Sequence, residues 1–433
     1  MKKSSKLFTA LIFMLFFKSS KLIDHNRNFF LVLTPKTAVF PFFYRMSLND
    51  HHVSVVKDVP TSAIKMKEVT LPPGSDLFLA ELKSIGESAL TGEIGRMESI
   101  AAVALSTRSL PHIHNAIGDH VSLNRVSVDD LIEPSSLTNS SRFSAISSLH
   151  GNRSLWEEVP SRSVSINSEI LQTRVAQLSG ASTIQINGTE HRILERATTK
   201  NKNLARAFLT EQLTASGFLV SESKYSTGVN LIADFKGQDS TKFIILSGHL
   251  DSMNNAGADD DASGVVSAWT IAEELAKSNP RISIRFVAFD QEELGLVGSK
   301  AYAKSLSQSG GFAGLMGVFN IEMTGYDSNG DGAIHVIDCD ENTSSLLSEK
   351  IVTALSVSEI DLKVIDACTN RSDHASFWQY DQPAIVIAQN FFGPPSDANP
   401  CYHKSCDKVD KMNFDYMTKI TNLIFQAVAA IAI

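Results

Sequence analysis

Apolar runs with β-like character alternate with helical runs along the C-terminal half of the chain, and this alternation limits the possible folds most strongly. A succession of strand, helix and strand predicts βαβ crossovers and a mostly parallel sheet covered by helices on both faces. Two helices are expected within 169–217, ahead of the first strand. Later helices are predicted at 263–278, 297–307, 344–355 and 416–431, and strands at 228–235, 243–248, 284–290, 316–321, 333–337, 362–365 and 384–388.

The region before residue 165 has a different character. The chain has 433 residues, more than the roughly 100–200 of a typical domain, so one large domain with an accessory segment, or two domains, is expected. A helix is predicted over 76–106. Twelve of the 34 residues from Ser135 to Ser168 are Ser, which is typical of a linker or a cleavable boundary.

The N-terminus has the pattern of a secretory signal. Lys2, Lys3 and Lys6 accompany an apolar run over 7–17, which is shorter than the ~20 residues of a membrane span. We therefore expect a signal peptide at 1–20, a secreted or periplasmic protein, and no membrane contact after signal removal. No A-x-A-like cleavage site follows, and a start at Met46 is the alternative.

The charge balance argues against one class of partner. The chain carries 47 acidic and 39 basic residues, a net charge of −8, and no basic cluster beyond the N-terminus. Nucleic-acid binding needs a concentrated Lys/Arg face, because affinity comes largely from phosphate neutralisation. We therefore expect no nucleic-acid partner.

Acidic and imidazole side chains follow three predicted strands in turn. Ligand sites in such sheets lie at the carboxyl ends of the strands, so we expect these groups to share one edge. An N-cap role would explain Asp261, but not the run of three adjacent acids to which it belongs. A bound cation would compensate the mutual repulsion of the three carboxylates. In chain order, the residues are His249, Asp251, the run Asp259 to Asp261, Glu292, Glu293 and Glu322, with His374 and His403 further on.

These residue types indicate a metal site. Imidazole and carboxylate groups without cysteine suit zinc, with manganese or cobalt as substitutes. Two histidines and three carboxylates favour two ions bridged by one acid, which can activate a water and polarise a carbonyl. Adjacent side chains diverge, so of Glu292 and Glu293 one is expected to bind metal and the other to face the water.

Six motifs carry a family resemblance: GHLDS, GADDDASG, EELGLVGS, NIEM, RSDHASF and CYHKSCD, in this order. They resemble the bacterial secreted leucyl-type aminopeptidases with co-catalytic double zinc, a zinc exopeptidase family. The resemblance implies an α/β fold with a central mixed, mostly parallel sheet sandwiched by helices, in a catalytic domain at 165–433. It also implies removal of an N-terminal, preferably apolar residue from peptides or proteins. Residues 21–164 would then resemble a propeptide, and the active enzyme is expected to be a monomer.

The resemblance also implies the metal ligands. His249 and Glu293 would be terminal ligands of separate ions, joined by Glu322 and His403, with Asp260 bridging the two. The family commonly has Asp where this chain has Glu322, which leaves metal affinity and metal preference open.

Three further residues receive catalytic roles by the same resemblance. Asp251 would accept from the second ring nitrogen of His249 and so fix its tautomer. Glu292 would be the general base that passes a proton from the attacking water to the leaving amine. Tyr402 would donate to the tetrahedral oxyanion.

All four cysteines lie near the C-terminus, and none has CxxC spacing. An even number in an exported chain indicates disulfides. Cys401 and Cys406 enclose a short loop and are the expected pair, while spacing alone leaves the pairing of Cys339 with Cys368 open.

Two weaker patterns have competing explanations. Asp327, Asn329 and Asp331 in DSNGDG match the start of an EF-hand-type calcium loop, but position twelve is Asp338 in place of Glu, and an Asx/Gly-rich turn is the favoured explanation. Family analogy makes Arg371 a substrate-facing cation and Asp373 a supporting acid, although a buried salt bridge would explain both.

Three other functions are alternatives to an aminopeptidase. A di-zinc carboxypeptidase or other amidohydrolase is the main alternative, and peptides with a free amine or a free carboxylate would distinguish it. A glutaminyl-cyclase-like enzyme shares the fold but uses one zinc ion. A binding module without activity would be expected to have lost ligands or the general base.

Overall fold

The computed structural model describes residues 166–339, 344–392 and 396–433, together with eight strands and three single residues between Arg27 and Val126. The chain divides into an N-terminal unit, Met1–Thr138, and a C-terminal unit, Asn139–Ile433. The predicted signal peptide and the Ser-rich stretch up to residue 165 lie outside the described residues. Among the described helices, none is both long and apolar enough to cross a membrane.

The N-terminal unit contains two four-stranded antiparallel sheets. Their strands are β1 (Arg27–Pro35), β2 (Tyr44–Leu48), β3 (His51–Val56), β4 (Lys65–Leu71), β5 (Ser75–Glu81), β6 (Glu93–Met97), β7 (Ile100–Ser106) and β8 (Ser122–Val126). The helix predicted over 76–106 is wrong, because β5, β6 and β7 occupy this stretch. A short apolar run such as IAAVALS fits a strand or a buried helix equally, and antiparallel pairing decides for the strand here. The strand orders of the two sheets are β2-β3-β1-β4 and β6-β7-β5-β8.

The C-terminal unit contains an eight-stranded mixed sheet. A separate small hairpin is formed by β9 (Ile184–Ile186) and β10 (Thr189–His191). The strands of the sheet are β11 (Leu219–Lys224), β12 (Val229–Phe235), β13 (Asp239–His249), β14 (Ile282–Phe289), β15 (Leu315–Glu322), β16 (Ala333–Ile337), β17 (Lys363–Ile365) and β18 (Ala384–Gln389). Their order is β11-β12-β14-β13-β15-β18-β16-β17. The four central strands are parallel, which confirms the predicted mixed, mostly parallel sheet.

Seven α-helices are described in this unit: α1 (Ser168–Leu178), α2 (Thr199–Ala215), α3 (Gly264–Ala276), α4 (Val297–Ser309), α5 (Ser345–Val357), α6 (His374–Trp378) and α7 (Phe414–Ala432). Three of them begin at a side chain that accepts a backbone N–H three residues on, an interaction that stabilises a helix by about 1 kcal/mol. These N-caps are Asn167, Thr198 and Asn413.

Helices cover both faces of the sheet, as predicted. On β14 the side chain of Phe286 joins the main core together with Trp269 of α3. Phe289, an odd number of residues along the strand, points to the opposite face and packs against Tyr302 of α4 and Phe377 of α6.

The sheet brings three strand ends together. Strands β14, β13 and β15 are parallel neighbours, so their carboxyl ends share one edge. β13 ends at His249, β15 ends at Glu322, and β14 ends one residue before Asp290. The candidate site lies at this edge.

Candidate metal centre

Two groups of side chains at the sheet edge could each hold a metal ion. The first contains His249, Asp260 and Glu322, and the second contains Asp260, Glu293 and His403. The potential ligand atoms within each group lie within 4.8 Å of one another. All five ligands expected from the sequence are therefore brought together, and Asp260 belongs to both groups.

The distances within the groups fit zinc. Nε2 of His249 lies 3.0 Å from Oδ1 of Asp260 and 3.4 Å from Oε1 of Glu322. Nε2 of His403 lies 3.2 Å from Oδ2 of Asp260 and 3.0 Å from Oε2 of Glu293. Ligand atoms ~2.0–2.1 Å from a tetrahedral zinc ion are about 3.3 Å apart, so the donor set and its spacing suit this metal. Because the two oxygens of Asp260 face different imidazoles, this carboxylate has the geometry of a bridging ligand.

The electrostatics of the site favour a bound cation. Burial and the neighbouring Asp260 raise the pKa of Glu293 to about 7. Burial also lowers the pKa of His403, but Glu293 and Asp260 outweigh it and raise that pKa to about 10. Carboxylates crowded in a buried site thus draw in positive charge, and metal ions can supply it in place of protons.

The two adjacent glutamates take different positions, as predicted. They follow Gln291, whose φ of 62° turns the chain at the end of β14. Glu293 faces His403, whereas Glu292 lines the same pocket and belongs to neither metal group. Burial, with Glu322 and Glu293 nearby, raises the pKa of Glu292 well above its usual range.

The carboxylate of Asp251 contacts a different group from the one expected. The ring Nδ1 of His249 lies 3.1 Å from the main-chain oxygen of Asp251, and 3.6 Å from its carboxylate. The carboxylate instead accepts the backbone N–H groups of Glu292, at 3.0 Å, and Glu293, at 3.2 Å. Asp251 therefore holds the turn that carries both glutamates, and its backbone supplies the closer contact to the imidazole.

Residues 230–428 match Peptidase family M28. This part of the chain is an M28 peptidase domain.

Individual relatives agree with this match. The chain is 30% identical over 274 residues to leupeptin-inactivating enzyme 1 of Streptomyces exfoliatus, covering 58% of this chain and 60% of that protein. It is 30% identical over 210 residues to leucine aminopeptidase 1 of Penicillium rubens, covering 43% and 52%. The match thus spans little more than half the length of these curated relatives. The LapA aminopeptidase of Legionella pneumophila shares the fold, with a TM-score of 0.60 and 18% identity over 82% of this chain and 98% of that one.

Only the middle acid of the Asp259–Asp261 run belongs to the metal groups of the M28 domain. Asp261 accepts the N–H of His249 at 3.0 Å and that of Gly264, the first residue of α3, at 2.9 Å. Asp261 thus satisfies the first N–H of α3, although the N-cap residue of this helix is Ser263, and it also holds the end of β13. Asp259 accepts from the side chains of Gln389 and Asn399. The flanking acids thus brace the backbone that presents Asp260.

The pocket of the M28 domain has one apolar wall. Met323, Phe391 and Phe392 form this wall, and the acidic residues line the same pocket. The ring of Tyr402 stacks on the ring of His403 with centroids 3.6 Å apart, and it also lines the pocket. A substrate in the pocket would therefore meet an apolar surface beside the polar centre.

Both disulfides are formed. Cys401 pairs with Cys406 as predicted, and Cys339 pairs with Cys368, the pairing that spacing left open. The first bridge encloses Tyr402 and His403, so it joins the two ends of a loop that belongs to the site.

The remaining candidates of the M28 domain are placed as follows. The guanidinium of Arg371 lies 5.4 Å from the ring centre of Phe391 at the pocket. Within the described part of the chain, neither carboxylate oxygen of Asp373 is hydrogen-bonded to it. Asp373 is fully buried. His374 is buried in α6 with Nε2 3.0 Å from the main-chain oxygen of Thr369, outside both metal groups.

The DSNGDG loop shows turn geometry. Asn329 accepts the N–H of Asp331 at 2.9 Å, and Asp331 accepts the N–H of Ala333 at 3.0 Å. Within the described residues, the two metal groups at the sheet edge do not include this loop. An Asx-type turn accounts for these contacts, and calcium binding stays a prediction.

Sequence reasoning missed several supporting residues, because their contacts are made across the fold. Asp407 directly follows Cys406 of the CYHKSCD motif, which was the available signal. Ser372 lies in the RSDHASF motif, whereas Arg196 offered no signal beyond its polarity. Arg196 contacts the loop after His249, Ser372 contacts Glu322, and Asp407 contacts the backbone of Asp260.

Proposed function

We propose that the M28 domain is a di-zinc aminopeptidase that removes an apolar N-terminal residue, such as leucine, from peptides. The observation that carries this proposal is the position of Asp260, whose two carboxylate oxygens each face a separate imidazole–carboxylate group. His249 and Glu322 would complete one site, and Glu293 and His403 the other. Zinc ions bound there would supply the Lewis acidity that activates water and polarises the scissile carbonyl.

Glu292 would act as the general base. Asp251 holds the backbone of Glu292, and the Glu292 side chain lines the same pocket as ligands of both metal groups. Its raised pKa gives it greater affinity for a proton than an exposed glutamate has. It would take a proton from the attacking water and deliver it to the leaving amine.

Tyr402 would stabilise the tetrahedral oxyanion. Its ring is held against His403 and against Phe391, whose ring centroid is 4.7 Å away. A donor fixed in this way does not need to reorganise as charge develops on the substrate oxygen.

The apolar wall supports the proposed preference. Met323, Phe391 and Phe392 would contact the side chain of the first substrate residue, and a buried leucine side chain contributes ~1.5–3 kcal/mol. The acids around the metal groups would favour the positively charged free amine of a peptide. Acidic surroundings and an apolar wall together match an apolar N-terminal residue.

A second candidate function has one specific observation behind it. Arg371 lines the same pocket and could bind a free carboxylate, as a di-zinc carboxypeptidase or related amidohydrolase would require. Leucyl amides with a free amine should be hydrolysed and N-acetylated dipeptides with a free carboxylate should not. Preference for the acetylated dipeptides would support the alternative instead.

We also propose that residues 21–164, after a signal peptide at 1–20, form a propeptide of an exported zymogen, consistent with the two disulfides. Ile166 sets the limit of trimming, because it is 4% exposed in the core and its main-chain oxygen accepts from Asn422 at 3.3 Å. Limited proteolysis with N-terminal sequencing should show a cut before Ile166 and a rise in activity. A cut inside α1 or α2, or lost activity after trimming to residue 165, would contradict this.

A further inference from the structure

A buried arginine spans the loop between two of the proposed metal ligands. Arg196 has no exposed surface, and its guanidinium donates only to main-chain oxygens. These belong to Leu250 at 2.7 Å, Ala256 at 2.8 Å, Gly257 at 2.8 Å and Leu178 at 3.0 Å. Arg196 precedes residues 230–428, the segment that matches the peptidase family.

Three of the four acceptors lie at the two ends of one loop, and the fourth, Leu178, is the last residue of α1. Leu250 directly follows His249, and Gly257 lies three residues before Asp260, so one side chain bridges the segments leading from each ligand. The guanidinium is planar and presents its donors in a rigid fork. It therefore fixes the spacing of the two segments, whose ligand atoms are 3.0 Å apart.

The loop is shaped for this contact. Gly257 has a φ of +55°, and a Cβ at this position would lie 2.7 Å from Nη2 of Arg196. Such a close approach to the guanidinium requires glycine.

A buried carboxylate holds the next residues from their N–H side. Asp407 accepts the N–H of Asp259 at 2.9 Å and that of Asp260 at 3.2 Å. It lies four residues after His403, so it links the backbone of the bridging acid to the loop that carries the other imidazole. Arg196 thus binds carbonyl groups before Asp260, and Asp407 binds the amide groups at Asp260 itself.

We propose that Arg196 and Asp407 are positioning residues that set Asp260 between the two zinc ions by holding its backbone from opposite sides. This inference rests on the proposed two-zinc function. The proposed role of Arg196 depends on the shape of its guanidinium and not only on its charge. A lysine at position 196 would keep the charge but offer a single compact donor group in place of the fork.

The test compares zinc binding by the full chain and by three variants, Arg196→Lys, Asp407→Asn and Arg285→Lys. Zinc is counted by native mass spectrometry, and its affinity is measured by competition with a chelating dye. Arg285 pairs with Asp234 on the same sheet and touches no proposed ligand, which makes it the matched control. Arg285→Lys should bind two zinc ions, each with the same affinity as in wild type. Arg196→Lys and Asp407→Asn should bind the weaker ion about 10–100-fold less tightly.

Cobalt-substituted protein gives a readout that stability does not affect. The visible absorption of cobalt should change in Arg196→Lys and Asp407→Asn and stay as in wild type for Arg285→Lys. If both variants fold and show wild-type zinc affinity and wild-type cobalt spectra, the inference about Arg196 and Asp407 is overturned, while the proposed two-zinc function is unaffected. If Arg196→Lys does not fold, as judged by circular dichroism, Asp407→Asn decides by the same criteria. A wild-type chain that binds fewer than two ions would overturn the proposed function, and this inference with it.

Discussion

Ser372 donates a hydrogen bond of 2.6 Å from its hydroxyl to Oε2 of Glu322. The other oxygen of this carboxylate, Oε1, faces His249 at 3.4 Å. Asn320 in turn donates to the hydroxyl of Ser372 at 2.7 Å. The longer side chain of Glu322, where the resembling family commonly has Asp, is thus anchored through one oxygen while the other remains directed at the first metal group.

Removing this anchor should weaken one zinc site. We expect Ser372→Ala to lower zinc affinity at the His249 site by about tenfold, because the carboxylate loses the donor that orients it. Competition with a chelating dye measures the change. Ser376→Ala is the control, since this buried serine bonds to Ser299. Unchanged affinity in Ser372→Ala would show that Glu322 is oriented by other contacts.

Glu292→Gln should abolish turnover and leave zinc binding intact. The change keeps the shape of the side chain but removes the base, and such groups contribute about 10²–10⁴-fold to the rate. Rates with a leucyl amide and zinc counts by mass spectrometry are the measurements, with Glu274→Gln on α3 as control. Activity above a few per cent of wild type would rule out Glu292 as the base.

The two disulfides should differ in what they support. Replacing Cys401 and Cys406 by Ser should lower zinc affinity and rate more than the melting temperature, because catalytic groups are sensitive to displacements of ~1 Å. Replacing Cys339 and Cys368 should destabilise the fold more. Their sequence separation is 29 against 5, a loop-closure difference of about 1.5 kcal/mol in the chain-entropy account. Equal losses of zinc affinity in the two double variants would contradict this division.

His374 should make the fold sensitive to acid. Burial lowers its pKa to about 3, whereas an unfolded histidine titrates near 6.5. The unfolded chain therefore binds one more proton between these values, and the free energy of unfolding falls as the pH falls through this window.

Replacing this imidazole should flatten the pH dependence. Between pH 6 and 4, wild type should lose about 1.4 kcal/mol more per pH unit than His374→Gln, which keeps a donor for the main-chain oxygen of Thr369. Urea unfolding of metal-free protein measures this, with His191→Gln on the small hairpin as control. Parallel curves for wild type and His374→Gln would refute the prediction.

The fold of the C-terminal unit follows largely from sequence patterns. Strand β16 begins and ends as predicted, and four of the five α-helices after residue 260 agree within a few residues, because long periodic runs are the strongest secondary-structure signal. The short helix α6 was not predicted. Strand β11 was not predicted, since its sequence LVSESK is mostly polar and half exposed at the sheet edge. The N-terminal unit was misjudged where antiparallel pairing, and not local periodicity, determines the structure.

The region of the site could be located from the sequence because strand ends such as His249 and Glu322 converge at one edge of a parallel sheet, and the family resemblance implied the set of five ligands. The residues that support these ligands could not be located in this way. Arg196 is 61 residues from Gly257, and Ser372 is 50 residues from Glu322. Contacts of this kind depend on how the elements pack, which the local sequence does not encode. The resemblance named the middle acid of the Asp259–Asp261 run, but the hydrogen bonds that occupy the two flanking acids appear only in the folded chain.

The most direct test of a two-zinc aminopeptidase is a zinc titration of the metal-free protein. The chain is stripped with a chelator, trimmed before Ile166 if the full chain is latent, and assayed on leucyl 4-nitroanilide as zinc is added back. We expect no hydrolysis without metal and full recovery at two equivalents of zinc, with Glu292→Gln inactive throughout. Hydrolysis by the metal-free chain, or full activity at one equivalent, would contradict the account.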